Sequence, residues 1–235
     1  MMAAHTEFSD NTALAEHVAG LWIERLTTRD SRHPFTVALS GGRIPKLLYQ
    51  AVTQQARDVS FRNVHFFWGD ERVVAPSDDD SNYKLAAVRL LQALKIPEDC
   101  IHRIVTERGE KFAIQQAEDE VCRVAELDSE GQPKLDLVFL GMGEDGHVAS
   151  LFPDDTEALE SKAVYRAVTS PKPPPRRITL GFPALAAAHE VWVLASGEGK
   201  AEALRQSQSA IGNTPLAKVL HDRTHTEIFT DFDLA

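Results

Sequence analysis

The chain has 235 residues, 43% of them hydrophobic and 26% charged, with 25 Lys and Arg against 35 Asp and Glu for a formal charge of -10. A chain of this length buries roughly 70–75% of its extended surface without staples, no run approaches roughly 18 apolar residues, and the acidic balance leaves no broad basic face for phosphodiester backbones. A disulfide-dependent mini-domain, a helical membrane span and a general nucleic-acid binder are therefore excluded, and an anionic ligand must find a small positive pocket in a negative protein. The two cysteines, Cys100 and Cys122, form no CxxC pair, and the first ten residues carry Glu7 and Asp10 with no apolar core, which points to a cytoplasmic protein without an export signal.

In chain order, Asp10 or Asn11 caps a helix whose Leu14, Val18, Leu21, Trp22 and Leu26 recur at helical spacing. Phe35 to Ser40 reads as a short strand ended by Gly41-Gly42, and Pro45 opens a helix through Leu47, Leu48 and Val52. The alternation continues with a strand over Val64–Trp68, a polar loop, and a helix over Tyr83–Leu94 with Leu85, Val88, Leu91 and Leu94 on one face. Another round begins near Ile101–Ile104, followed by a helix from Glu110 to Leu127, a turn over Asp128–Pro133 and a buried strand over Leu135–Leu140. Further strands are predicted over Val164–Thr169, Ile178–Leu180, Val191–Ala195 and Glu227–Phe229. The fold class that follows is α/β, a single domain over residues 1–235 with a mostly parallel, open, doubly wound sheet covered by helices on both faces. Ligands of such sheets gather outside the carboxyl ends of the strands.

Four loops there carry chemistry. Ser40-Gly41-Gly42-Arg43-Ile44-Pro45 offers backbone amides at a helix N-terminus, which attract an anion, although no Gly-Lys-Ser or Gly-Lys-Thr completes a Walker motif. In Gly69-Asp70-Glu71-Arg72, taken as a loop past a strand end, Arg72 can clamp a phosphate or carboxylate while Asp70 or Glu71 orients it or accepts from sugar hydroxyls. Gly141-Met142-Gly143-Glu144-Asp145-Gly146-His147 satisfies GxGxxG, but the acid required after the next strand is replaced by Ser170-Pro171-Lys172, which argues against a dinucleotide. Its alternative use is proton transfer, with His147 as the proton acceptor and Asp145 fixing its tautomer. Lys172, Arg176 and Arg177 flank a stiff proline run, Pro171 to Pro175, that can act as an anion lid. Asp78-Asp79-Asp80 lacks the glycine of a calcium loop and reads as a solvated turn capping the next helix, and His221 and His225 read as surface histidines with no third metal ligand nearby.

Taken in this order, the loops resemble the 6-phosphogluconolactonase family, within a larger group that includes glucosamine-6-phosphate deaminases and ribose-5-phosphate isomerases. The resemblance rests on Ser40-Gly41-Gly42 with Pro45, Trp68 to Arg72 with Ser81-Asn82-Tyr83, and above all Gly141 to Pro153. Ser170 to Pro175 with Arg177-Ile178-Thr179, and Gly197-Glu198-Gly199-Lys200, extend it over most of the chain, from about Leu14 to Val219. Deaminases continue the Gly-Asp-Gly-His core with Ala-Phe-Asn-Glu-Pro, whereas this chain reads Ala149-Ser150-Leu151-Phe152-Pro153.

The resemblance implies hydrolysis of 6-phospho-D-glucono-1,5-lactone in the oxidative pentose phosphate pathway, without cofactor or metal. His147 is then the base and Asp145 its orienting acid, with Ser40, Gly41, Gly42, Arg43, Asp70, Arg72, Gly143, Lys172 and Arg177 around the substrate. The expected partner is the small-molecule lactone, with no nucleic acid and no membrane, on a monomer or weak homo-oligomer. Arg43-Ile44 stands where the family usually has a small hydroxyl residue and Thr, so Arg43 either supplies a charge or points outward, and His221–Thr226 matches the family poorly. The alternatives are a sugar-phosphate isomerase or deaminase, and a non-catalytic sugar-phosphate sensor.

Overall fold

A computed structural model describes residues 3–234. It opens with a short strand β1 (Ala4–Glu7) and helix α1 (Asn11–Thr28), capped by Asp10, whose carboxylate accepts the Thr12 and Ala13 N–H groups at 2.9 Å each. Strand β2 (Phe35–Leu39) leads through Gly41-Gly42 into α2 (Arg43–Gln55), and β3 (Val64–Trp68) runs almost directly into β4 (Asp70–Arg72). Helix α3 (Asn82–Ala86) continues as a π-helical turn over Ala87–Leu91, and α4 (Glu110–Val124) precedes β5 (Leu137–Gly141). The remaining elements are α5 (Thr156–Glu160), β6 (Tyr165–Thr169), β7 (Arg176–Leu180), α6 (Phe182–Ala187), β8 (Glu190–Ala195), α7 (Ala201–Gln208), α8 (Pro215–His221) and β9 (Thr226–Thr230).

Six strands form one parallel sheet in the order β1-β9-β8-β5-β2-β3. Residues along β2, β5 and β8 are buried consecutively rather than alternately, because helices cover both faces. The core is rich in aromatic rings: Trp22, Phe66, Phe139 and Trp192 are at most 1% exposed, and Trp22 meets Phe139 edge to face at 5.0 Å between ring centroids. From β2 the chain moves outward to β3, whereas from β5 it moves the other way to β8 and β9. The crevice outside the carboxyl ends of β2 and β5 is therefore the switch point at which ligands of open α/β sheets bind.

The α/β class and parallel sheet agree with the sequence; several local expectations do not. Asp70–Arg72 is a strand rather than a loop, and it joins β7 and β6 in a second, antiparallel sheet of order β4-β7-β6. Consequently Lys172 lies in the hairpin between β6 and β7, not after a parallel strand. The π turn rotates the register of the helix after Tyr83, so that Val88 is 55% exposed instead of sharing the buried face of Leu91. Near Ile101 the chain makes only an isolated bridge with Phe66. Two smaller differences concern helix ends: α4 stops at Val124 rather than Leu127, and Ser81 caps α3 rather than the aspartates before it.

The segment at Ile101 nonetheless closes the outer edge of β3. His102 N–H donates to the Phe66 carbonyl at 2.9 Å, and its ring lies between Phe67 and His65 with Nε2 2.9 Å from His65 Nδ1. His102 Nδ1 in turn lies 2.9 Å from Glu120, which also pairs with Arg123. Burial, then the neighbouring His102 charge, holds His65 below the ordinary imidazole range, with Arg123 adding to the effect and Asp99 opposing it. Burial holds His102 low as well, against the pull of Glu120. Depressed imidazoles bind fewer protons folded than unfolded, so stability is lost as pH falls below the unfolded value of about 6.5. Denaturant unfolding from pH 7 downward should show that loss, and His102→Gln should flatten it; an equally steep slope in the variant would contradict the assignment.

Candidate active site

The turn after β2 places Gly42 at φ +101 as the N-cap of α2, with no side chain capping the helix. The first-turn N–H groups and the positive end of the helix dipole therefore point into the crevice. Gly41 meets a different requirement, close approach: a Cβ on it would lie 1.8 Å from Asn82 Oδ1. Asn82 cannot readily retreat, because it is 3% exposed and its amide donates to the Asp70 carbonyl at 2.8 Å and to Asp70 Oδ1 at 3.1 Å.

The turn after β5 folds back on itself. Gly143 N–H donates to the His147 carbonyl at 2.9 Å, Gly146 N–H to the Gly143 carbonyl at 3.0 Å, and Gly146 has φ +75. No helix opens on the last glycine; the chain makes bridges from Met142 to Val148 and from Val148 to Leu151 instead, which is not dinucleotide geometry. A Cβ on Gly143 would lie 2.1 Å from His147 Nδ1, so the missing side chain is the space in which the imidazole sits. There His147 Nδ1 lies 2.5 Å from Asp145 Oδ1, and the His147 backbone N–H also donates to that oxygen at 3.2 Å. Burial pushes the Asp145 carboxyl up, but the hydrogen bond and charge of His147 outweigh it and hold the group below its ordinary range. A carboxylate only accepts, so in the neutral ring the proton sits on Nδ1 and the Nε2 lone pair is free.

These two turns, with the second sheet, enclose a cavity of about 200 Å³. Ser40, Gly41, Gly42, Arg43, Asp70, Arg72, His147 and Arg177 of the sequence-predicted set all line it. Asp145 lies behind the imidazole, on the wall of a neighbouring cavity, and Gly143 is backing rather than wall. Lys172 is not among the residues that line the cavity; its side chain is exposed, its carbonyl accepts from Arg177, and its charge reaches Lys200 in the cavity wall. Arg177 is only partly free, since its guanidinium also donates to the Pro174 carbonyl at 3.1 Å. Sequence reasoning missed the polar side chains Asn82, Ser196 and Lys200, which also line it. Lys200 follows the end of β8 in Gly197-Glu198-Gly199-Lys200, the same strand-end signal that marked the other loops.

The cavity collects like charges. Arg72 and Arg177 stand directly opposite each other across β4 and β7, a destabilising placement without a counterion. Burial, then the Arg72 charge, lowers the Arg177 guanidinium below its usual range. On the other wall Arg43 points inward, with one guanidinium nitrogen 3.3 Å from Ser196 Oγ, and burial followed by the Arg43 charge lowers the Lys200 ammonium. Arg43 also occupies the first turn of α2, where the helix dipole disfavours a cation. Four cations and an uncapped helix N-terminus around one cavity are electrostatically satisfied by a multivalent anion.

Sequence comparison reaches the same place. The pattern of the glucosamine-6-phosphate isomerases/6-phosphogluconolactonase family matches residues 9–229. This chain belongs to that family. The 6-phosphogluconolactonase of Mycobacterium tuberculosis is 40% identical over 173 residues, 72% of this chain and 70% of that protein. That of Aggregatibacter actinomycetemcomitans is 36% identical over 208 residues, 86% of this chain and 87% of that protein. The structure of Trypanosoma brucei 6-phosphogluconolactonase superposes with a TM-score of 0.86 at 25% identity, covering 97% of this chain and 96% of that one.

The close approach of Gly41 to Asn82 gives this family member a testable coupling. Gly41→Ala should lower stability by about 1–3 kcal/mol through overpacking, and the cost should shrink in an Asn82→Ala background, as measured by denaturant unfolding of the four proteins. An equal cost in both backgrounds would show that the two residues do not compete for space.

Proposed function

We propose that the chain hydrolyses 6-phospho-D-glucono-1,5-lactone to 6-phosphogluconate, the lactone-opening step of the oxidative pentose phosphate pathway. The observation that carries this reading is a histidine with one ring nitrogen tied to Asp145, set in the wall of a cavity whose other walls carry four cations. His147 Nε2 takes a proton from water as the water oxygen bonds to the lactone C1. The carbonyl electron pair moves onto its oxygen, where glycine-turn amides or a wall cation stabilise it; a preorganised donor of this kind is worth about 3–4 kcal/mol. Collapse of the tetrahedral intermediate breaks the bond from C1 to the ring oxygen, and the imidazolium returns its proton to that oxygen. Asp145 holds the tautomer and stabilises the imidazolium in between, as in other histidine–carboxylate pairs.

The phosphate lies at the N-terminus of α2, on the Gly41 and Gly42 amides and Arg72, with Arg43, Arg177 and Lys200 supplying the surrounding field. Asp70, 5% exposed and tied to Asn82 and to Ser150 Oγ at 2.6 Å, is positioned to accept from a substrate hydroxyl. Ser40 completes the turn: its carbonyl is held by Tyr49 OH at 2.6 Å. The Ala149–Pro153 sequence after the histidine supports a lactonase over a deaminase, and the His147–Asp145 pair supports an enzyme over a sensor. In this reading residues 1–235 act as one unit, a monomer or weak homo-oligomer in the cytoplasm, where the free thiols of Cys100 and Cys122 persist. Among the described residues no helix is long and apolar enough to cross a membrane.

The test is lactone disappearance with the substrate generated in situ and its spontaneous hydrolysis subtracted. Wild type should accelerate the reaction, and His147→Ala should lose about 10²–10⁴ in kcat; no acceleration by wild type would overturn the function, and unchanged turnover in the variant would remove His147 from it. Arg72→Ala, assayed in parallel, should chiefly raise KM, because it removes binding common to the ground and transition states. A fall confined to kcat would place Arg72 on the oxyanion instead.

A further inference from the structure

The mechanism leaves one buried ionisable group behind the site wall without a task. Glu71 is 3% exposed and does not line the cavity, yet its carboxylate gathers four donors from two segments of the chain. Oε1 accepts the backbone N–H groups of Arg72 and Asn82, each at 2.8 Å. Oε2 accepts the Tyr83 N–H at 2.7 Å and the Ser81 hydroxyl at 3.0 Å. A carboxylate facing only donors is held as an anion by hydrogen bonding, and here three of those donors are the cap and first two residues of α3. Burial raises the Glu71 carboxyl above its ordinary range, and the four donors, which favour the anion, offset only part of that rise.

We propose that Glu71 is a positioning residue for the anion cradle, acting through Arg72 and Asn82 rather than by touching substrate; this deepens the sugar-phosphate reading above and rests on it. The connection is physical at each step. Glu71 fixes the N-terminus of α3 against β4, which sets Asn82 where its amide grips Asp70 and its Oδ1 occupies the space beside Gly41. The same carboxylate fixes the Arg72 backbone, while the Asp80 carbonyl, one residue before the α3 cap, holds the Arg72 guanidinium at 2.8 Å. Arg72, Asp70 and the glycine turn are three parts of the cavity wall, and one buried anion sets their spacing. The requirement is for a carboxylate and not merely its shape. In Gln the NH2 group must replace one oxygen, and it then faces either the Arg72 and Asn82 N–H groups or the Tyr83 N–H, leaving a buried donor without an acceptor in both orientations.

The experiment compares wild type, Glu71→Gln and the milder Ser81→Ala. It measures kcat and KM on the lactone, and dissociation constants for 6-phosphogluconate by calorimetry, at a temperature where circular dichroism shows each protein folded. Glu71→Gln should raise KM and the 6-phosphogluconate dissociation constant by about tenfold with a smaller change in kcat, the size of one lost hydrogen bond to a charged group. Ser81→Ala should shift both in the same direction by less. In an Arg72→Ala background the Glu71→Gln effect on binding should shrink, because part of what Glu71 positions is gone. Lowered thermal stability with KM and product affinity unchanged would overturn the proposal, as would full effects in the Arg72→Ala background. If Glu71→Gln does not fold, Ser81→Ala alone decides, and unchanged binding there overturns the proposal. Wild type that binds 6-phosphogluconate without turning over lactone defeats the catalytic reading and leaves Glu71 to be judged on binding; wild type that does neither defeats both.

Discussion

A histidine can take a proton from water only if one ring nitrogen is committed as a donor and the other faces the reactant, and the bond from His147 Nδ1 to Asp145 meets that condition. Much of the surrounding turn exists to make the bond possible. The ring occupies space that any side chain at Gly143 would fill, and Gly146 takes a left-handed conformation against Thr214 so that the chain can reverse within a few residues. The parallel sheet supplies the location: β5 delivers this turn and β2 delivers the glycine turn to the same end of the sheet, on either side of the point where strand order reverses.

Charge is the second constraint. The chain carries a formal charge of -10, yet the cavity brings together two cation pairs, Arg72 with Arg177 and Arg43 with Lys200. Exposed charges beyond about 10 Å are largely screened, so relief comes from nearby carboxylates: Asp70 and Asp80 act on Arg177, and Asp231 and Glu144 on Lys200, without cancelling the lowering of either group. The remaining positive field and the free first-turn amides of α2 favour an anion in the cavity. Arg43 turns inward to Ser196, whose hydroxyl donates to Asp231 at 2.5 Å.

The parts of this arrangement that are local in sequence were legible. Apolar runs gave β2, β3, β5 and β8, glycines marked the turns, and Asp145 and His147 are two residues apart, so their contact needed no knowledge of the fold. The second sheet was not legible as such, because β4 is three residues long and entirely charged, a composition that reads as loop until β7 pairs with it. Val88 was misplaced because a π turn leaves no mark in residue spacing. Asn82 and Lys200 were quoted within motifs but not assigned to the site, since only the tertiary fold brings α3 and the end of β8 to the turn after β2. The basic loop of Lys172 is visible in the sequence, but its place in a β-hairpin, where its backbone serves Arg177, is not.

Proton abstraction by His147 depends most directly on its tautomer. Nitrogen-15 NMR of the selectively labelled protein, assigned by comparison with a His147 variant, reports the protonation of each ring nitrogen separately. At pH 7 to 8 the resonance pair should show a proton on Nδ1 and a bare Nε2, and Asp145→Asn should disturb that preference. A neutral ring with its proton on Nε2 would leave no lone pair facing the cavity, and would contradict the assignment of His147 as the base.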